Sequence, residues 1–335
     1  MLKWWNSLFY SYLCMLIMNI IRFLKDWTLP VSITMGTLCY LTFYYVPQLD
    51  ALGDSLAPVF DVIFPLFVFL TLFVTFCKVD FHQMRPHRWH VGVLVAQLLL
   101  VAVNIVVIFM VEADVEQKLL WEALLTCIIG PAASASPVVT GKLGGNISTM
   151  STYVLISSLA SALLIPLVFP MLEQTVHVSF FSAFLIILQK VSIVLLLPLV
   201  LGWLMQHYVK GVCARIAAMP NLSFYCWAIS LSITTGITVK NIMHSEATLT
   251  LLLMIAVATF LLCWVQFGIG RLIGRHLGEE INAGQALFQK NTALSIWVAY
   301  MYLHPVASVG AGCYVLWQNI INSLELWQYR KKGIS

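Results

Sequence analysis

Ten long apolar segments follow one another through this chain, and each is long enough to cross the hydrocarbon core of a bilayer. They cover residues 28–46, 57–77, 91–112, 118–145, 147–171, 183–208, 222–242, 247–274, 279–303 and 304–327. Of the 335 residues, 61% are hydrophobic and only 10% are charged, and the mean hydropathy is +0.91. Soluble domains have a much smaller apolar share. The sequence therefore predicts an all-α polytopic membrane protein with ten transmembrane helices.

Two of these segments are interrupted near their centres. In 281–304 the middle is Gln-Lys-Asn-Thr, which brings an ammonium, two amides and a hydroxyl to a depth where polar groups are costly and persist mainly for function. In 127–148 the sequence carries Gly-Pro and then Ser-Pro. Freed backbone groups in a spanning helix are tolerated only where they face protein or a water-filled cavity. Matched interruptions in two halves of a chain are typical of secondary transporters that bind at the midplane.

The spacing of the segments divides the chain into two sets of five, with the interrupted segment fourth in each. An odd number of spans per set inverts the second set, so an inverted repeat is predicted over 27–172 and 173–328. Residues 1–26 carry basic ends and a weak polar stripe, which predicts an amphipathic helix lying in the membrane interface. An eleventh span there is the alternative, because 4–23 is long enough to cross. Residues 329–335 form a basic tail.

The charges indicate the orientation. With a cytoplasmic amino terminus, fourteen of the 18 Lys and Arg lie on the inner side, as the positive-inside rule requires. These residues are Lys3, Arg22, Lys25, Lys78, Arg85, Arg88, Lys142, Lys210, Arg215, Arg271, Arg275, Arg330, Lys331 and Lys332. Both termini are therefore expected to be cytoplasmic, in a cytoplasmic (inner) membrane. The basic residues are spread thinly and form no patch, which argues against a nucleic-acid partner.

The two breaks have the chemistry of ligand sites. Ser136 precedes Pro137, a favourable helix start because serine can cap free amides and proline at the first position loses no hydrogen bond. Asn291, Thr292 and Ser295 are predicted to cap or line the other break. The amino ends of half-helices favour anions, and the carbonyl ends favour cations. Proline kinks packed against neighbouring helices are the alternative, but two matched breaks, one with a lysine, favour a site.

Two strings resemble a known family, the bile acid:sodium symporters. PAASASPVVTGKLGGN at 131–146 and QKNTALSI at 289–296 are similar to that family's fourth and ninth helices, and the span pattern is similar over about 27–328. The resemblance implies ten helices in two inverted repeats, with a panel domain (first, second, sixth and seventh helices) and a core domain in which the broken helices 4 and 9 cross. It also implies alternating access and transport of organic anions such as bile acids, steroid sulfates or pantothenate-like acids, generally driven by sodium.

Some residues of these strings match the family's motifs, and others differ from them. Ser136 matches the serine of the fourth-helix crossover, Asn291 and Thr292 match the asparagine and hydroxyl of the ninth, and Gln97 matches a glutamine of the third. Three positions depart from the family pattern, and they are Pro137 in place of an asparagine, Ala286 in place of a sodium-binding glutamate, and Lys290 in place of a glutamine.

Lys290 is therefore interpreted as occupying the place of a coupling ion, because an ammonium would repel sodium strongly at low dielectric. Two roles are open. As a strut, Lys290 would donate hydrogen bonds to break carbonyls and to Asn291. As a titrating group, it would exchange protons or meet the anion of the substrate.

The residues expected to bind substrate or ion are Gln97, Ser134, Ser136, Gln289, Lys290, Asn291, Thr292 and Ser295. No catalytic residue, metal site or cofactor is predicted, and a sodium ion is in doubt. The predicted function is secondary transport of a small organic anion by a monomer or weak oligomer embedded in the lipid bilayer. A proton-coupled or facilitative carrier is the alternative. A membrane sensor or an intramembrane enzyme belongs to another class, and the second lacks any assembled nucleophile and base.

Overall fold

A computed structural model of the protein describes residues 28–79, 81, 84–172, 179–219, 222–244 and 247–331. This part of the chain contains thirteen α-helices and a short 3-10 helix, Pro47–Leu49, and its only extended pairing is an isolated bridge. The α-helices are α1 (Thr28–Tyr45), α2 (Asp50–Lys78), α3 (Arg88–Met110), α4 (Val115–Ile129), α5 (Ser136–Lys142), α6 (Ile147–Leu172), α7 (Phe180–Tyr208), α8 (Lys210–Ala217), α9 (Leu222–Met243), α10 (Leu249–Leu277), α11 (Glu280–Phe288), α12 (Thr292–Tyr302) and α13 (Ala307–Lys331).

Each of the ten predicted segments contains one of these helices or, for the fourth and ninth segments, a pair of short ones. Among the described residues, five helical stretches are long and apolar enough to cross a membrane. They are Pro58–Lys78, Arg88–Met110, Ile147–Leu172, Phe180–Tyr208 and Leu249–Leu277. The prediction of an all-helical polytopic membrane protein is confirmed at this level. The amino-terminal helix proposed for 1–26 and the end of the tail lie outside the described residues.

Local sequence explains where several helices begin and end. Asp114 caps α4 by accepting the backbone N–H of Gln117 at 3.1 Å, and Thr248 caps α10 by accepting that of Leu251 at 3.1 Å. These side chains satisfy amides that have no partner inside the helix. Helix α10 ends at Gly278, whose φ of 79° lies in the left-handed region that glycine adopts without strain. The turn after Gly278 leads directly into α11, the first half of the ninth segment.

The helices pack in two groups. In one group α2 packs against α1, α7 and α9, and α1 packs against α9. The other group contains α3, α4, α5, α6 and α10 to α13. The groups meet along α6 and α7, where α12 lies against α2 and α9, and where α13 lies against α9. Small residues allow close approach inside each group, since Gly36 packs on the carbonyl of Ser232 and Gly310 on that of Ala123.

An apolar cluster joins the two groups beside α12. It includes Phe64 and Leu72 of α2, Val191 of α7, and Leu294 and Val298 of α12, all at most 5% exposed. The short helix α5 instead packs against α6 and α11 of its own group. Helix α12 therefore packs against the group of α1, α2, α7 and α9, whereas α5 packs against helices of its own group.

Candidate functional site at the crossing of two interrupted helices

Both predicted interruptions are confirmed. Helix α4 ends at Ile129 and α5 begins at Ser136, while α11 ends at Phe288 and α12 begins at Thr292. Gly130 has an extended backbone (φ −63°, ψ 152°) and is followed by Pro131, which has no N–H to continue the helical ladder. In the ninth segment, Gln289 leaves the helix with φ −82° and ψ 92°.

The two breaks pair through their backbones. The N–H of Ala133 donates to the carbonyl of Gln289 at 2.8 Å, and the N–H of Asn291 donates to the carbonyl of Pro131 at 2.9 Å. Between these bonds, Ala132 and Lys290 face each other as an antiparallel bridge. The polar backbone freed by one break is thus satisfied by the other, as buried groups require. The predicted crossing of the interrupted helices is held by the main chain.

The carbonyl end of α4 is covered by side chains of α3 and α6. The Nε2 atom of Gln97 lies 3.0 Å from the carbonyl oxygen of Ile128, 3.5 Å from that of Ile129 and 3.1 Å from that of Gly130. The hydroxyl of Ser161 also donates to Ile129, at 2.8 Å. Gln97 was predicted from the sequence. Ser161 was not, because serines are frequent in α6 and nothing in their spacing distinguishes this one.

The carbonyl end of α11 is covered by α13. The hydroxyl of Tyr314 donates to the carbonyl of Phe288 at 2.8 Å. The amide of Gln318 binds both backbone groups of Lys290, accepting its N–H at 3.0 Å and donating to its carbonyl at 3.3 Å. Gln266 of α10 then donates to the hydroxyl of Tyr314 at 2.9 Å. The presence of Gln266 and Gln318 inside apolar segments was the sequence feature from which these hydrogen bonds could have been predicted.

Three buried polar atoms at the second break have no hydrogen-bond partner among the described residues. They are Nζ of Lys290, Oε1 of Gln289 and Oγ of Ser295. Lys290 is 1% exposed, and its ammonium lies near the thiol of Cys127 on α4. The strut role expected donation from Nζ to break carbonyls and to Asn291. Among the described residues, Nζ makes none of these bonds.

The remaining predicted residues have distinct positions. Asn291 caps α12 by accepting the N–H of Leu294 at 3.2 Å, as predicted. Ser136 was expected to cap α5, but its hydroxyl donates backwards to the carbonyl of Ala133, so that expectation is wrong. Thr292 is buried, while Ser134 is partly exposed in the connection before α5. Ser295 joins the two breaks, because its hydroxyl fills the space that a side chain at Gly130 would take.

The donor set at the crossing does not fit a sodium ion. Sodium prefers several oxygen ligands and a nearby negative charge, as hard cations do. The carbonyls of Ile128 to Pro131 and of Phe288 to Lys290 all accept hydrogen bonds from the protein. Ala286, at the position of the family glutamate, is fully buried and apolar. Glu280 and Glu325 instead pair with Arg271 at the other end of α11.

A separate cavity lies at that end of the helices. It has a volume of ≈ 550 Å³ and is lined by the loop after α5, the turn between α10 and α11, and the end of α13. Arg271, Glu280, Glu325 and Tyr329 contribute to its wall. None of the predicted site residues lines it. The cavity is therefore distinct from the crossing.

An all-helical polytopic membrane protein whose two interrupted helices pair at their breaks has the architecture of secondary transporters. A sequence profile of the SBF-like CPA transporter family, a bile acid:sodium symporter-like family, matches residues 77–321, which is more than half of the chain. The chain belongs to this family, and the resemblance seen in the sequence is confirmed. No match to a curated protein was found. The family identifies the protein as a membrane transporter, which favours transport over catalysis.

Proposed function

We propose that this protein is a secondary transporter of a small organic anion of the bile-acid, steroid-sulfate or pantothenate-like class. The observation that carries the proposal is the ammonium of Lys290, fully buried at the crossing without a hydrogen-bond partner among the described residues. A buried charge without a partner is costly, and in transporters such groups mark substrate or proton pathways. The ammonium is balanced either by an arriving anion or by release of its proton.

Proton coupling is the preferred mechanism over sodium coupling. The ionisable group that interacts with Lys290 is the thiol of Cys127 on α4, which packs in one cluster with Cys263 of α10 and Tyr314 of α13. None of these is a carboxylate that would hold the ammonium charged. Lys290 would therefore take up a proton together with the anion and lose it after the anion leaves. The cycle would move one proton with each anion, without a sodium ion.

The substrate would meet the crossing from the side of α5. Ala133, Ser134 and Ala135 are partly exposed, whereas Lys290 lies behind Ala132 in the interior. The anion would thus contact the connection around Ser134. The positive charge of Lys290 would attract it electrostatically from the other side of the paired backbone segments. The helix group α1, α2, α7 and α9 would form the panel, and the other group the core that moves against it in alternating access.

The proposal includes ten spans in two inverted repeats with both termini cytoplasmic. In a variant without the eight native cysteines, we expect Arg85→Cys to react with a membrane-impermeant maleimide only from the cytoplasmic side. Glu112→Cys, at the other end of α3, is expected to react only from outside. Labelling of both positions from one side would contradict the count of spans.

Uptake into proteoliposomes tests transport and coupling together. We expect accumulation of labelled taurocholate, steroid sulfate or pantothenate when the pH gradient is inward, and no change when sodium is replaced by N-methylglucamine. Accumulation that needs a sodium gradient would contradict the proton mechanism and favour sodium symport. Flux without accumulation would indicate a facilitator. Binding without flux for every tested anion would favour the sensor alternative.

A further inference from the structure

One face of α13 carries polar residues from the crossing to the end of the helix. Tyr314, Gln318, Asn322 and Glu325 follow one another at spacings of three or four residues, so they share one side of the helix. The first three are buried, and the side chain of Glu325 is 11% exposed. Together with Gln285 of α11 they form a polar seam between the two helices. Such residues are costly inside a membrane helix and persist there mainly for function.

The polar seam connects the crossing to the separate cavity by direct contacts. At one end, Gln318 binds the backbone N–H and the carbonyl of Lys290. In the middle, Nε2 of Gln285 donates to Oδ1 of Asn322 at 3.0 Å and to Oε2 of Glu325 at 2.7 Å. At the other end, Glu325 forms part of the wall of the ≈ 550 Å³ cavity. The seam therefore runs from the buried lysine to the one cavity described at this end of the helices.

Polar atoms along the same line indicate positions for water. Oε1 of Gln285, Oε1 of Gln289 and Nζ of Lys290 have no hydrogen-bond partner among the described residues, and each of these residues is at most 5% exposed. Gln289 follows Gln285 by one turn of α11, toward Lys290. Buried polar groups are normally paired, either with protein or with ordered water. Water bound to these atoms would bridge Lys290 and Gln285.

We propose that the polar seam is the route by which the proton of Lys290 reaches the cavity, with Glu325 as its last carrier. This inference rests on the proposed proton-coupled function and assigns the residues of its release step. Glu325 lies about 10 Å from Gln318 along the axis of α13, so direct transfer is excluded and bound water is needed between them. The proposed topology places the cavity on the cytoplasmic side.

The release step follows the departure of the anion. The proton passes from Nζ of Lys290 through bound water to the carboxylate of Glu325, and then to water in the cavity. Nζ is left as a neutral amine, and Glu325 regains its negative charge. The amides of Gln285 and Asn322 do not carry the proton themselves. They hold the carboxylate and the bridging water in place.

The charges around Glu325 suit a group that accepts a proton and releases it again. Arg271 of α10 pairs with Glu325 and also with Glu280 of α11, which in turn binds Arg275. Tyr329 is a further ionisable group in this wall of the cavity. When Glu325 is protonated, Arg271 keeps Glu280 as its partner, so no guanidinium is left without a carboxylate. The positive charge of Arg271 then favours loss of the proton from Glu325.

The test compares two kinds of flux in proteoliposomes that contain the full-length protein and the anion, among taurocholate, a steroid sulfate and pantothenate, that the wild type accumulates. Net uptake driven by a pH gradient requires release of the proton in every cycle. Exchange of labelled for unlabelled anion does not, because the loaded carrier can return with both proton and anion. In Glu325→Gln, we expect net uptake to fall at least about tenfold, since a carboxamide cannot carry the proton, and exchange to stay within about twofold of the wild type.

Glu279→Gln is the matched control, because Glu279 lies in the same cavity wall, at the start of α11, but forms no part of the polar seam. It should change neither flux. Glu325→Asp keeps a carboxylate and should recover part of the net uptake. If Glu325→Gln does not fold, Gln285→Leu replaces it, because leucine interrupts the seam and leaves the pair of Arg271 with Glu325 in place. The same difference between net uptake and exchange is expected.

Three outcomes would overturn the inference, and they are unchanged net uptake in Glu325→Gln, an equal loss of net uptake and exchange in that variant, and the same selective loss in Glu279→Gln. A wild type that moves none of the anions would contradict the transport function instead. The route is then decided by an experimental structure that resolves water. Water within hydrogen-bond distance of Oε1 of Gln285 and of Gln289 would support the route, and a dry seam would overturn it.

Discussion

Replacing Lys290 with methionine is expected to reduce anion flux at least about tenfold while leaving the protein as stable as the wild type, or more so. The amino group of Lys290 is buried without a hydrogen-bond partner among the described residues, and a lysine at the centre of a membrane helix costs at least ~2.5 kcal/mol on insertion scales. Methionine has a similar shape and no charge, so it removes this cost. It also removes the positive charge that the anion needs. Uptake and thermal unfolding of the same preparation measure the two effects.

Lys190→Met is the matched control, because Lys190 is exposed on α7 and its loss should change neither flux nor stability. Lys290→Arg separates charge from proton exchange. A guanidinium stays protonated, so substrate-induced stabilisation should persist while uptake loses its response to a pH gradient. Flux that is unchanged in Lys290→Met would exclude Lys290 from the mechanism. Loss of both flux and stability in that variant would indicate a structural strut.

A single methyl group at Gly130 is expected to destabilise the crossing by about 1–3 kcal/mol, as overpacking does in a tight core. The backbone of Gly130 is one that alanine adopts freely, so the effect is steric and not conformational. The added carbon would collide with the hydroxyl of Ser295 across the two breaks. Gly130→Ala should therefore lower the midpoint of thermal unfolding and reduce uptake together.

Removing the opposing hydroxyl should reverse this effect. Ser295→Ala alone is expected to be nearly neutral, since the hydroxyl has no hydrogen-bond partner among the described residues. The double variant should recover most of the loss, which a double-mutant cycle would show as coupling of about 1 kcal/mol or more. Gly268→Ala on α10 is the control, because nothing lies within 4 Å of its added carbon. Destabilisation that persists in the double variant would mean that Gly130 is needed for another reason.

Features that depend on neighbouring residues were predicted well from the sequence. The interruptions at Gly130 and near Lys290 follow from missing N–H groups and from polar residues inside long apolar segments. The cap supplied by Asn291 follows from the short reach of its side chain to Leu294. The prediction that Ser136 caps α5 is the one local prediction that was wrong. The hydroxyl of Ser136 had two acceptable partners within one turn, and the carbonyl of Ala133 was available to it.

Partners that come from distant helices could not be predicted. The sequence indicated that Lys290 needs a partner. It did not indicate that Gln318 would bind the backbone groups of Lys290, or that Nζ would have no hydrogen-bond partner among the described residues. The sequence matched Gln97 to a glutamine of the family's third helix. It did not indicate that the Nε2 atom of Gln97 faces three carbonyl oxygens. Which donor reaches which carbonyl depends on the rotation and depth of each helix, and these follow from packing across the whole group.

The sequence by itself determined the all-helical membrane class and the position of both breaks, because apolar length, proline and charge act locally. The tertiary structure alone decided that the breaks pair backbone to backbone and that side-chain amides cover the freed carbonyls. The physical reason is that a carbonyl freed in the membrane must find a donor, and the donor that it finds is set by three-dimensional proximity.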